Sequence, residues 1–229
     1  MPKRSVLFFA FGTGFFLFFI LFSFLVHKDI FTQVDFDTTV RLQNNISQRF
    51  DEIFSWFSEL GKFEPTVVLL VILLALWKKI LVGLTLFSGF VAFHVIELFG
   101  KYFVDHPPPP EFMLRTKQLV DFPQFHVRAE FSYPSGHSGR TLFLAVLVVF
   151  LIWQTKLLPR WGKVGLSGLV CSFVLVMLVS RIYLGEHWLT DVIGGGILGL
   201  ALSLIGLAFY RKKRFTSITY HKTVKQASV

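Results

Sequence analysis

The feature that most constrains this chain is a set of long apolar segments with few or no charged residues. Residues 5–26, 164–180 and 192–210 contain no charged side chain, and residues 80–96 contain only His94 as a titratable group. Roughly 17–25 such residues cross a bilayer as an α-helix, because the helix satisfies its own backbone hydrogen bonds. The pattern therefore predicts an integral membrane protein of the all-α class.

Two weaker segments complete the predicted bundle. Residues 65–77 are apolar but short, and residues 141–158 contain Gln154 and Lys156 near their end. The chain as a whole is 53% hydrophobic, with a mean hydropathy of +0.61. A soluble domain of this length is less apolar. We therefore predict a six-helix transmembrane bundle, with a tight hairpin around residues 77–79.

The distribution of charge predicts the orientation of the bundle. With the N-terminus inside, the segments that face the cytoplasm contain Lys and Arg but no Asp or Glu. Short cytoplasmic loops of membrane proteins carry this bias. We therefore expect a multi-pass protein of the cell (cytoplasmic) membrane, with both termini cytoplasmic and residues 111–130 outside. The net charge of +9 is a topology signal on this interpretation, and we expect no nucleic-acid partner because the cations are spread over membrane-edge loops.

The sequence predicts one transmembrane domain over residues 1–214 and a polar cytoplasmic tail over residues 215–229. The first apolar segment is too long for a signal peptide and lacks a cleavage pattern, so we expect an uncleaved anchor. Cys171 is the single cysteine, which excludes an intramolecular disulfide and a cysteine metal cluster.

The segment between the first two spans has a helical apolar period. The period predicts an amphipathic helix that either lies in the outer membrane interface or covers the bundle as a lid. Its apolar positions are Leu42, Ile46, Phe50, Ile53, Phe57 and Leu60.

The chemistry of the chain is concentrated in two short motifs. Residues 180–191 contain Arg181, His187 and Asp191. His187 and Asp191 are four residues apart, so on a helix they share one face. Asp191 could then accept the Nδ1 proton of His187 and leave Nε2 free to attack an electrophile. Arg181 could hold the oxygens of that electrophile in a bidentate contact.

The second motif is Pro-Ser-Gly-His at residues 134–137. It offers the hydroxyl of Ser135, the backbone N–H of Gly136 and the imidazole of His137. Lys101 ends the third span, and Glu97 on the same helix face is its expected partner. The predicted topology brings all these groups to the outer edge of the bundle, so the sequence predicts a phosphoryl-transfer site there.

At these motifs the chain resembles the PAP2 family of membrane phosphatases. The second family motif, PSGH, matches residues 134–137, and the third, SR-x5-H-x3-D, matches Ser180, Arg181, His187 and Asp191. The first, K-x6-RP, matches only at Lys101, because Pro108 stands where the family has Arg. A secondary Arg position of some members is His106 in this chain.

The resemblance implies that His187 attacks phosphorus to form a phosphohistidine, that Asp191 orients it and that His137 protonates the leaving oxygen. Lys101, Ser135, Gly136 and Arg181 would hold the phosphate, without metal or cofactor. For the missing arginine we expect a substitute, either His106 or Arg115, with Arg140 as a third candidate.

The expected substrate is a membrane lipid phosphate or diphosphate, of the polyprenyl diphosphate or phosphatidylglycerol phosphate type. Two alternatives stay open: a phosphotransferase that uses the same site, and a non-catalytic protein that binds or transports lipid. The sequence does not indicate an oligomeric state.

Overall fold

A computed structural model describes residues 3–77, 80–117 and 131–210. The regular structure in these ranges is helical, with no strands. Two short 3-10 turns lie at Gln48–Phe50 and Glu111–Met113. The α-helices are α1 (Lys3–His27), α2 (Thr32–Asn45), α3 (Asp51–Glu59), α4 (Phe63–Trp77), α5 (Ile80–Phe103), α6 (Gly136–Gln154), α7 (Arg160–Tyr183) and α8 (Leu189–Ala208).

Within the described ranges, five helices are long and apolar enough to cross a membrane: α1, α5, α6, α7 and α8. The predicted all-α membrane architecture is thus confirmed. α4 is equally apolar but has only 15 residues, so the sixth crossing stays a prediction. The expected hairpin residues 78–79 and the polar tail lie outside the described residues. α5 continues past residue 96 to Phe103, which places Glu97 and Lys101 on regular helix.

The centre of the bundle is α8, which contacts α1, α5 and α6. Glycines allow α6 and α8 to approach closely, because a Cβ on Gly199 would overlap the carbonyl oxygen of Gly139. Small residues are the usual means of bringing membrane helices together. This approach sets the start of α8 beside the start of α6, where Ser135 donates its N–H to the carbonyl of Asp191 at 2.9 Å.

The segment predicted as one amphipathic helix forms two helices, α2 and α3. The chain turns extended at Ile46 (ψ 124°) and Ser47 (ψ 141°), which ends α2. The amide of Gln43 donates to the carbonyls of Met113 and Tyr183, at 2.7 and 2.9 Å. The segment therefore packs on the end of the bundle, as in the lid alternative, while α3 also exposes apolar side chains such as Trp56.

Candidate active site

A cavity of about 690 Å³ opens at the end of the bundle where α4 and α6 begin and where α5 and α7 end. Of the residues selected from the sequence, five line it: Lys101, Gly136, His137, Arg181 and His187. The other lining residues are two basic side chains, four carboxylates, three polar side chains and three apolar ones. They are, in that order, Lys62 and Arg140; Glu59, Glu64, Glu97 and Glu186; Ser58, His94 and Thr116; and Phe63, Leu98 and Leu114.

The pair of His187 and Asp191 is formed as predicted, but by a different local geometry. α8 begins only at Leu189, so His187 precedes the helix and the two residues do not share a helix face. Asp191 instead caps the start of α8, where its Oδ2 accepts the N–H of Trp188 at 3.0 Å. The same oxygen lies 3.2 Å from Nδ1 of His187.

This contact determines which nitrogen of a neutral His187 keeps its lone pair. A carboxylate can only accept, so Nδ1 of His187 carries the proton and Nε2 keeps its lone pair. Burial lowers the pKa of His187 below its usual range; the hydrogen bond and charge of Asp191 oppose this, and the charges of Arg181 and Lys101 add to it. His187 is therefore neutral at pH 7, the form that a nucleophile requires.

The turn that presents His187 to the cavity requires a glycine. Gly185 has a φ of +69°, a conformation that L side chains rarely adopt. A Cβ at this position would also overlap the carbonyl of Met113. The turn thus packs against the loop after α5, where Arg115 donates its N–H to the carbonyl of Leu184 at 2.9 Å.

Arg181 lies in the last turn of α7 with only 2% of its surface exposed. Its Nη1 donates to Oγ of Ser58 and its Nη2 pairs with Glu186. Its Nε has no hydrogen-bond partner among the described residues. Leaving a buried donor unpaired costs about 1–3 kcal/mol, so this guanidinium is suited to accept an anion from the cavity.

Glu97 connects two further cations of the cavity. Its carboxylate lies 3.7 Å from Nζ of Lys101, the pairing predicted from the helix spacing. It also lies 3.3 Å from Nη1 of Arg140. Arg140 stands on α6 one turn after His137, is 7% exposed and donates from Nε to the carbonyl of Gly61 at 3.2 Å.

Three predicted substrate contacts do not reach the cavity lining. Ser135 is fully buried, and its Oγ accepts the N–H of Ser138 at 3.5 Å, which caps α6. The guanidinium of Arg115 lies over the ring of Tyr183, 5.2 Å from its centroid. His106 lies behind Asp191 rather than beside the cavity. The geometry therefore does not support these three as phosphate ligands.

Other residues near the site carried too weak a sequence signal to be selected. Arg140 was only a third candidate, because an Arg near a helix start also suits a membrane-edge position. No sequence pattern indicates a role for Asp35 on α2. Its Oδ1 accepts the N–H of Thr190 at 2.8 Å, and its Oδ2 accepts the hydroxyl of Thr190 at 2.7 Å. These residues are 155 positions apart, so no local pattern indicates the contact.

The fold and the site together define a class: a multi-pass helical membrane protein with three histidines and several cations around one cavity at the end of its bundle. The family model of the PAP2 superfamily matches residues 77–215, which is more than half of the chain. The protein belongs to the PAP2 superfamily, and the resemblance seen in the motifs is confirmed.

Relatives and solved structures agree with this assignment. Phosphatidylglycerophosphatase B of Bacillus subtilis is 29% identical over 207 residues, which are 87% of this chain and 95% of the relative. Undecaprenyl-diphosphatase of Sulfolobus acidocaldarius is 30% identical over 152 residues, 66% of each chain. The crystal structure of a PAP2 type phosphatidylglycerolphosphate phosphatase from Bacillus subtilis has a TM-score of 0.69 at 24% identity, covering 86% of this chain and 94% of that one. At this identity the structural match shows the fold alone.

Proposed function

We propose that this protein hydrolyses a phosphate or diphosphate ester of a membrane lipid through a phosphohistidine on His187, without a metal ion. The observation that carries the proposal is that His187 lines the cavity together with Arg181, while the buried Asp191 lies 3.2 Å from its Nδ1. The names of the two relatives, a phosphatidylglycerophosphatase and an undecaprenyl-diphosphatase, support this substrate class.

In the first step, Nε2 of His187 attacks phosphorus and the bond to the leaving oxygen breaks. Asp191 holds the Nδ1 proton and stabilises the imidazolium that forms. His137, which lines the same cavity, gives a proton to the leaving oxygen as general acid. In the second step, His137 takes a proton from water, the water oxygen bonds to phosphorus and the N–P bond breaks, which releases phosphate.

The phosphate oxygens are held by Lys101, Arg181 and the N–H of Gly136, and we propose Arg140 as the fourth ligand. A loose phosphoryl transition state spreads charge over its equatorial oxygens, so catalysis depends on positioned cations and N–H donors. Pro108 leaves this chain without the arginine of the first motif, while Arg140 enters the cavity from α6. Arg140 is thus the substitute, in place of His106 and Arg115.

We further propose that the lipid enters the cavity from the outer leaflet. Phe63, Leu98 and Leu114 form an apolar part of the cavity wall, which suits the part of a lipid nearest its headgroup. At the opposite end of the bundle, Arg4 contacts Phe150, and Lys163 donates to the carbonyl of Thr155. Cations at that end favour a cytoplasmic location for it, and thus an outward site.

Phosphate release from purified protein in detergent tests the proposal. The substrates are phosphatidylglycerol phosphate and a polyprenyl diphosphate, each assayed with EDTA present. We expect release from at least one lipid, an acid-labile phosphoenzyme with labelled substrate, and neither signal from His187→Ala. A requirement for added metal, or an active His187→Ala protein, would contradict the mechanism. Transfer of the label to an added lipid acceptor would identify a phosphotransferase instead.

A further inference from the structure

A chain of buried polar groups continues behind His187, away from the cavity. Nδ1 of His106 lies 2.9 Å from Oδ1 of Asp191, and its Nε2 lies 3.5 Å from Oδ2 of Asp35. The exposed fractions of His106, Asp191 and Asp35 are 6%, 0% and 1%. Asp35 belongs to α2, so this row of polar groups connects the helix that covers the bundle end to His187.

The two carboxylates determine the charge of the ring between them. A neutral imidazole has one N–H and one lone pair, and so could donate to only one of the two carboxylates. An imidazolium donates from both nitrogens. Burial opposes protonation of His106, but its hydrogen bonds with Asp191 and Asp35 and their negative charges outweigh that cost and raise the pKa of His106 to about 9. His106 is therefore cationic at neutral pH.

Every oxygen of Asp191 is then assigned. Oδ1 faces the imidazolium of His106, while Oδ2 faces Nδ1 of His187 and the N–H of Trp188. Two carboxylates, one imidazolium and a neutral His187 carry a net charge of −1. When His187 becomes cationic on phosphorylation, the group becomes neutral, which favours the phosphorylated state.

We propose that His106, held between Asp35 and Asp191, is a positioning residue for phosphoryl transfer: it fixes the carboxylate of Asp191 against His187. His106 does not line the cavity, so it acts on the substrate only through Asp191. The inference rests on the proposed function for its effect on rate, but the contact between His106 and Asp191 is independent of that function.

The proposal predicts a specific change in His187. Without the positive charge of His106, Asp191 attracts the proton of a charged His187 more strongly, so the pKa of His187 rises. The groups that face His106 are Asp35 from α2, Asp191 from α8 and the ring of Tyr133, at 6.4 Å between centroids. Burial keeps the phenol of Tyr133 neutral by raising its pKa, so it does not replace the lost charge.

The test measures modification of His187 by diethyl pyrocarbonate as a function of pH, read by mass spectrometry. In His106→Asn, which keeps an N–H near the position of Nδ1 but not the charge, the midpoint for His187 should move to higher pH. In His106→Arg, which keeps the charge, the midpoint should stay near that of the parent. His27→Asn is the matched control, because His27 is an exposed histidine at the same end of the bundle that contacts the N–H of Asp105.

Kinetics give the second readout. Loss of the outer partner of a metal-ligating histidine costs about 10–100-fold in activity; by analogy, kcat of His106→Asn should fall by that factor, with KM unchanged. In the double variant, the losses of kcat from Asp35→Asn and from His106→Asn should be less than additive, because both substitutions act through the same contact. An unchanged His187 midpoint in His106→Asn would overturn the proposal. A parent that releases no phosphate would refute the proposed function only, since labelling of His187 does not need turnover.

Discussion

Substitution of Arg140 is the sharpest test of the proposal that this residue replaces the arginine of the first motif. Removing one preorganised donor from a transition-state site costs about 10²–10³ in kcat, or about 2.7–4 kcal/mol. Arg140 is partly neutralised by Glu97 at 3.3 Å, which places the expected loss near the lower limit. We therefore expect Arg140→Ala to lose about 10²-fold in kcat/KM.

The structure also gives Arg140 a role in stability, and the two roles can be separated. Arg140→Ala leaves the carbonyl of Gly61 without the Nε donor and leaves Glu97, 8% exposed, with Lys101 as the remaining ion-pair partner among the described residues. Removing one member of a buried ion pair costs up to about 3–5 kcal/mol. Adding Glu97→Gln removes the underpaired carboxylate, so the double variant should recover stability without recovering rate.

The assay compares thermal unfolding in detergent with steady-state hydrolysis for the parent, Arg140→Ala, Arg140→Lys and the double variant with Glu97→Gln. Arg140→Lys keeps the charge but not the bidentate geometry, and should retain stability while losing a smaller part of the rate. Recovery of the rate together with stability in the double variant would refute the reasoning, because Arg140 would then act only as a structural link.

His137→Asn should lose about 10²–10⁴ in rate on an alkyl phosphate and far less on p-nitrophenyl phosphate; equal losses in the two assays would exclude the general-acid role. Because His187 must be neutral to attack and its pKa lies below the usual 6.5, the midpoint of the loss of kcat/KM on the acid side that is due to His187 should lie below pH 6.5. A midpoint at or above pH 6.5 would contradict this. The pKa of His106 is raised from 6.5 to about 9, which corresponds to a contribution to stability of roughly 3 kcal/mol at 1.36 kcal/mol per pKa unit. This contribution is complete below pH 6.5 and is lost as pH rises through 9. The free energy of unfolding, measured between pH 6 and 10, should therefore fall with pH in the parent and not show this fall in His106→Asn. Phe112 and Leu157 are 81% and 92% exposed, so a cysteine that replaces either one can be labelled. In a protein without Cys171, Phe112→Cys should react with an impermeant thiol reagent in intact cells, and Leu157→Cys should not. The reverse pattern would place the site on the cytoplasmic face.

The predictions that the structure matches depend on neighbours in sequence. Apolar segments must form helices in a bilayer whatever surrounds them, because their backbone groups have no other partner. Glu97 and Lys101 are four residues apart on one helix, and that spacing alone brings them into contact. His187 and Asp191 meet for a similar reason, although the contact forms at the start of α8 rather than along its face.

The apolar period from Leu42 to Leu60 shows where local patterns fail. A helical period does not reveal a break within it, and the extended backbone at Ser47 divides the segment into α2 and α3. Hydrogen bonds to distant carbonyls, such as those from Gln43 to Met113 and Tyr183, hold the segment on the bundle. These hydrogen bonds join residues far apart in the sequence, so no local pattern predicts them.

The sequence by itself therefore determined the class of the protein, its apolar helices and the residues proposed as nucleophile, acid and orienting group, because the helices follow from apolar length and the proposed residues lie in two short motifs. Only the tertiary structure shows which of the candidate cations reaches the cavity: Arg140 lines it, whereas Arg115 turns to Tyr183. It also decided that His106 meets Asp191 across 85 positions. Side chains of the same charge are equivalent in a sequence, and only the packing of the helices that carry them fixes which one faces the substrate.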